Sequence, residues 1–205
     1  MKRCLLVLAI FFMALSLVSC ATDFQGEDIN TISEAQLTDK EKSLLSAANE
    51  HFFVFDYHVN SEYKKISAWV EKYEFGKKVE STTGKIFSLL NDNRDGTVLF
   101  TANEASPNSS EVDILFGISI INGGSFSKTS SLQKSIIEDK DKGYGRTWSS
   151  NINGETPIKG KMILANIIYD EGGQRMSGLQ IDDEGNLEGI EGYDAVYVLR
   201  CEFLR

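Results

Sequence analysis

Downstream of Glu50 the chain runs in short stretches that alternate apolar with polar residues. Phe52 to Val59, Lys65 to Phe75, Lys85 to Leu90, Thr97 to Ala102, Val112 to Ile121, Lys161 to Tyr169, Met176 to Ile181 and Ala195 to Leu204 are rich in Val, Ile, Phe, Tyr and Trp, the side chains that suit a pleated, half-buried surface. Residues tolerant of positive φ separate these stretches: Gly76 with Lys77, the NDNRDG run ending at Gly96, Asn122 with Gly123 and Gly124, Asn153 with Gly154, Asp170 to Gly173, and Asp182 to Asn186. About eight or nine strands at hairpin spacing, with almost no helical pattern between them, predict an all-β fold, an antiparallel β-sandwich rather than a βαβ architecture. An immunoglobulin-like arrangement is one version of it. The two-cysteine, one-tryptophan pattern of that domain is absent, so strand count alone stands behind this version.

One short helix precedes the strands. Thr38 and Glu41 have the spacing of a capping box, and Leu44, Leu45 and Ala48 supply an apolar stripe, so a helix is expected over Asp39 to Asn49. The β-rich domain is expected to occupy residues 39–205. Within it Lys128 to Asn151 is irregular, carrying the charged run Glu138 to Lys142, and reads as a long exposed excursion between strands. No internal repeat of fixed period is visible.

The N-terminus has a different character. Met1, Lys2 and Arg3 lead into Leu5 to Val18, where Ser16 is the single polar residue. A membrane-spanning helix needs about 20 apolar residues. This shorter run, followed by small residues, has the form of a signal peptide over residues 1–19. The junction Leu17-Val18-Ser19-Cys20 resembles the lipobox of bacterial lipoproteins in all four positions. The resemblance implies diacylglyceryl transfer to the Cys20 thiol, cleavage before Cys20, and in many bacteria acylation of the new amino group by a chain such as palmitate. Ser19 and Ala21 also fit ordinary secretory cleavage, which would release a soluble chain starting at Thr22. Two or three acyl chains hold a protein stably, because each buried methylene contributes about 0.8 kcal/mol. The lipobox thus implies a cell-envelope location, on the outer face of the cell membrane or, in a Gram-negative organism, at the outer membrane. Residues 20–38 are polar and acidic and are expected to form a tether reaching at most about 60 Å. The segment SAWVEKYEFGKKVE, Ser67 to Glu80, is similar to ectodomains of small uncharacterised Gram-positive lipoproteins. That likeness implies a compartment and no activity.

The 205 residues carry a net charge of −9, and loss of Lys2 and Arg3 with the signal makes the remainder more acidic. Such a surface repels nucleic-acid phosphates and anionic headgroups, so no nucleic-acid partner is expected and the membrane is reached through the lipid alone. With Cys4 in the signal and Cys20 blocked, Cys201 has no partner for an internal disulfide. Its apolar strand predicts a buried, inert thiol.

Candidate chemistry is sparse. His51 and His58 differ by an odd number of positions, so on one strand they face opposite sides and share no site. SxxK spacing occurs at Ser61 and Lys64, Ser125 and Lys128, and Ser131 and Lys134, without the helix start and companion motifs that this chemistry uses. Asn91, Asn93, Asp95 and Gly96 repeat the first half of a calcium loop, but Ala102 stands where its bidentate carboxylate belongs. A looser calcium site, completed from elsewhere in the fold, is the remaining metal reading. Neither a cofactor nor a metal is expected. The strand around Trp69 places Ile66, Ala68 and Val70 on one face and Lys65, Ser67, Trp69, Glu71 and Tyr73 on the other. Trp69 and Tyr73 therefore either form an exposed platform that binds a glycan or an envelope protein, or lie covered by the opposing sheet or a long loop. The whole reads as a monomeric, lipid-anchored binding or interaction module. A hydrolase using Asp182, Asp183 and Glu184, or an accessory solute-binding lipoprotein, are the alternatives.

Overall fold

A computed structural model describes residues 30–79, 83–90, 94–105, 113–134, 144–171, 179–182 and 185–205. The signal segment, Cys20, residues 21–29, Asn91 to Asn93, the run Glu138 to Lys142, Asp183 and Glu184 lie outside the described residues.

The elements in chain order are β1 (Thr31–Glu34), α1 (Asp39–Ala48), β2 (His51–His58), β3 (Lys65–Glu74), β4 (Lys77–Lys78), β5 (Thr83–Leu89), β6 (Asp95–Glu104) and β7 (Asp113–Asn122). They continue with β8 (Ser125–Lys134), β9 (Tyr144–Ser150), β10 (Thr156–Pro157), β11 (Lys161–Glu171), β12 (Gln180–Ile181), β13 (Leu187–Glu188), a 3₁₀ turn (Ile190–Gly192) and β14 (Ala195–Leu204). Two major antiparallel sheets form, one ordered β10-β1-β2-β6-β7-β8 and the other β4-β3-β14-β11-β9, with β5 also on β3, and β12 and β13 pair as a small third sheet. The fold is the expected all-β sandwich with one helix. Two six-stranded sheets replace the four-plus-three pattern of an immunoglobulin constant domain, so that version is set aside.

Alternation along each strand builds the core. Phe55, Tyr57, Val98, Phe100, Phe116 and Ile118 project from the first sheet toward Ile66, Ala68, Tyr169, Tyr197 and Phe203 of the second. Aromatic rings bridge the layers, with Phe116 4.8 Å from Tyr197 and Tyr57 5.2 Å from Phe203, centroid to centroid. Close packing fixes Gly96, where a Cβ would stand 2.2 Å from the Tyr57 hydroxyl oxygen. A register shift between Ile163 and Ala165 directs Leu164 and Ala165 inward and leaves Ile163 outside.

Three expectations change. Residues 31–34 are not tether: β1 pairs with both β2 and β10, and Ile32 is fully buried, so the domain begins some eight residues before Asp39. Lys128 to Asn151 is not one excursion. Ser125–Lys134 pairs along its whole length with β7 through a turn in which Gly123 and Gly124 both have positive φ, and Tyr144–Ser150 pairs with β11. The sequence SFSKTSSLQK concealed the first of these because a strand with partners on one side needs few apolar side chains. Finally, α1 buries no residue. Its capping box is present, Thr38 accepting from the Glu41 N–H while Glu41 accepts from the Thr38 N–H at 2.8 Å, and Asn49 ends it.

A second apolar cluster lies outside the sandwich. Ile163, Ile168, Val196 and Val198 on the outer face of the second sheet are roofed by Ile190 and Tyr193, with Leu179, Ile181 and Leu187 packed alongside. The segment that carries β12, β13 and the 3₁₀ turn is thus a cover over half of that outer face.

Candidate functional site

Trp69, Glu71 and Tyr73 share the outer face of β3, as alternation requires, but they do not form an exposed platform. Trp69 is 4% exposed and Tyr73 is half-buried. Tyr73 packs into the cluster under the cover segment. The Trp69 ring lies at the register shift between β3 and β5, with the Lys85 Nζ 4.7 Å and the Lys161 Nζ 6.0 Å from its centroid. Neither ring stands fully exposed: Trp69 is buried, Tyr73 is half-buried, and each donates its polar hydrogen to Glu71.

The Glu71 carboxylate is saturated. Oε1 accepts from Trp69 Nε1 at 3.1 Å and from Lys78 Nζ at 2.7 Å. Oε2 accepts from the Tyr73 hydroxyl at 2.9 Å and from Arg200 Nε at 2.7 Å. Burial pushes this carboxyl up, but the hydrogen bonds from Lys78 and Trp69, the Arg200 charge and the Tyr73 hydroxyl outweigh it and hold the pKa at about 2. A carboxylate so held cannot act as a proton donor near neutrality. Its effect is to fix the outer face, and Arg200 Nη1 extends the network to the Gly185 carbonyl at 3.4 Å.

A second cluster, which the sequence reading did not single out, sits where β9 closes over β2 and β6. Tyr144, Arg146 and Trp148 alternate onto the inner side of β9. Arg146 reaches Glu104 at 2.8 Å and Glu50 at 3.5 Å, and the Tyr144 hydroxyl donates to Glu104 at 2.9 Å. Trp148 stacks on buried His51 with centroids 4.0 Å apart. Among the described residues neither His51 ring nitrogen has a hydrogen-bond partner. Desolvation first, and then the Arg146 charge, lower its pKa against the opposing pull of Glu50 and Glu104, which favours the neutral imidazole. Burial and the Glu104 bond push Tyr144 up to about 12.

Residues 31–203 match the model of a family described as the YgaN domain. The chain belongs to that family. No curated protein and no solved structure matches it. The matched stretch coincides with the sandwich, from the first residue of β1 to the penultimate residue of β14.

Within the YgaN domain the remaining candidates separate. His58 lies at the far end of β2 from His51 and pairs with Asp95 at 2.7 Å, so the two histidines share no site. That pairing also engages the Asp95 carboxylate invoked for a calcium loop. Among the described residues no three His, Cys, Asp or Glu side chains converge as a metal would need. Lys64 Nζ donates to the Ser61 carbonyl rather than its hydroxyl, and the pairs on β8 are split between opposite faces by their odd spacing. Asp182 accepts from Asn186 N and Nδ2 at 2.7 and 2.8 Å and shapes its own turn. Cys201 is fully buried, and burial raises its thiol pKa above the ordinary range, as expected for an inert cysteine.

Two open grooves flank Ala35 to Leu37. One, of about 460 Å³, runs between α1 and the outer face of the first sheet and is lined by Leu44, Leu45, Val54, Leu99 and Ile121. The other, of about 430 Å³, reaches Phe52, Phe53 and Trp148.

Proposed function

We propose that this YgaN-domain chain is an envelope lipoprotein, anchored through acylated Cys20, whose sandwich serves as a binding or interaction module on the outer side of a membrane. The carrying observation is the four-residue box Leu17 to Cys20, directly after a basic start and an apolar run too short to span. The position of the domain accords with this. Its first strand opens at Thr31, eleven residues after Cys20.

Binding rather than catalysis is supported by how the charged side chains are used. Glu71 is fully engaged by four donors, Asp182 closes its own turn, and buried His51 stacks on Trp148 with no hydrogen-bond partner at either nitrogen among the described residues. A glycan or another envelope protein is the class of partner that an anchored module of this size would meet. Metabolic labelling with a fatty acid tests the anchor. Cys20→Ala is expected to abolish both the label and the membrane fractionation of the mature chain; a variant that keeps both removes the proposal.

A further inference from the structure

The chain enters the fold at Asn30. Its Oδ1 accepts from the Asn60 N–H at 2.6 Å and its carbonyl accepts from the Ile158 N–H at 2.8 Å. Thr31 pairs with His58, so this is the end of the sandwich at which β2, β5 and β14 finish and β3 begins. Backbone bonds join those termini, from Lys64 N–H to Leu204 O and from Leu90 N–H to Lys64 O, both 2.8 Å. Asn122 Nδ2 donates to the Leu89 carbonyl at 3.3 Å, which brings the Asn122–Ser125 turn alongside.

The same end gathers apolar and cationic side chains. Phe87 and Leu89 alternate onto the outer side of β5 and are 60% and 59% exposed, large values for such residues. Lys65 Nζ stands 5.5 Å over the Phe87 ring, while the exposed cations Lys85 and Arg205 lie over the Trp69 and Tyr63 rings, at 4.7 and 5.4 Å, and exposed Lys64 donates to the Ser61 carbonyl. Against these stand Glu62, 3.5 Å from Arg205, Glu202, which lies opposite Lys161 in register, and Asp95, already paired with His58. In a chain of net charge −9, the described residues of this end carry more basic than acidic side chains around two exposed apolar ones.

We propose that this end is a membrane-contact face that rests on an anionic phospholipid surface, with Phe87 and Leu89 among the headgroups and Lys64, Lys65, Lys85 and Arg205 over the phosphates. The inference rests on the Cys20 anchor. Asn30 is ten positions beyond Cys20, a span of at most about 36 Å even when fully extended. A lipid at Cys20 therefore holds this end near the bilayer at high effective concentration, while the opposite end, a ten-residue strand away, stands about 33 Å farther out. Anionic lipid attracts basic residues close to its surface, and aromatic and aliphatic side chains beside them bury apolar area at the interface. On this proposal the lipid is not the sole membrane contact: the net charge is acidic, but the face proposed to meet the bilayer is not.

The test uses the full chain, lipidated in a bacterial host and reconstituted into vesicles of phosphatidylcholine alone or with phosphatidylglycerol. Phe87→Cys carries an environment-sensitive fluorophore; buried Cys201 does not compete for it. A control label sits at Leu132→Cys, at the opposite end on β8. In phosphatidylglycerol vesicles the label at position 87 should shift to the blue and be quenched by brominated lipid, while the label at 132 is unchanged. High salt, or combined Lys64→Glu, Lys65→Glu and Lys85→Glu, should return the emission to its value in neutral vesicles. A chain that cosediments with both vesicle types without a shift at position 87, or with equal shifts at 87 and 132, overturns the contact face and leaves the anchor standing. A chain that fails to cosediment with neutral vesicles overturns the anchor instead. Its binding to phosphatidylglycerol vesicles, lost in the triple variant, then supports the face on its own, and absence of that binding removes both.

Discussion

Arg200 Nε lies 2.7 Å from Glu71 Oε2 across the β3–β14 pairing, both side chains being nearly excluded from water. In register Arg200 stands opposite Trp69 and Glu71 opposite Val198, so the ion pair is a diagonal contact on one sheet face. Lys78 from β4 adds a second cation to the same carboxylate. The outer face of the second sheet is therefore held by a polar network in one half and by the cover segment's apolar cluster in the other.

Removing the carboxylate leaves a buried guanidinium without its counter-charge. Glu71→Gln should cost about 3 to 5 kcal/mol in denaturant unfolding, and a combined Glu71→Gln, Arg200→Met variant should recover part of that loss. The network also sets an acid limit. Glu71 is ionised above 4.5 in the unfolded chain and down to about 2 in the folded one, so its contribution is complete above pH 4.5 and is lost as pH falls toward 2. That contribution is about 3 kcal/mol and should be missing from the pH–stability curve of the Gln variant.

Trp69 decides between a binding platform and a structural role. Because its ring is covered, Trp69→Ala should destabilise by about 3 to 5 kcal/mol through lost burial and an unfilled cavity. Trp69→Phe keeps most of the ring and loses the indole donor to Glu71, for about 1 to 2 kcal/mol. Equilibrium unfolding of both variants checks the order. An Ala variant within about 0.5 kcal/mol of the parent would show an exposed ring.

His51 gives a second, separate pH response. Its folded pKa is lowered from 6.5 by burial and by Arg146, so the unfolded chain takes up a proton first. Stability is complete above pH 6.5 and falls as the pH drops below it. His51→Phe retains the stack on Trp148 and removes two unpartnered ring nitrogens. It should match or exceed the parent's melting temperature at pH 7 and flatten the slope just below pH 6.5.

Much of this architecture is written locally. The capping box at Thr38 and Glu41, the Asn122-Gly123-Gly124 turn, the alternation in β2, β3, β7 and β14 and the buried Cys201 follow from residue types and spacing, since the steric preferences that produce them act over a few residues. The lipobox expectation at Cys20 is likewise sequence-local. Alternation also assigned Trp69, Glu71 and Tyr73 to one face, but a period of two names a face without naming what lies over it. Only the tertiary structure brought Arg200, 129 positions downstream of Glu71, to that carboxylate, and only the fold packed Leu179, Ile181, Leu187, Ile190 and Tyr193 into one cluster with Tyr73. The same holds for β1, where a single buried Ile32 suffices once β2 and β10 supply the hydrogen bonds. It holds for charge as well: a sum over the chain is acidic, whereas the positions of Lys64, Lys65, Lys85 and Arg205 are fixed by which strands end together. Long-range pairing decides such matters because its energy comes from partners that no local window of sequence contains.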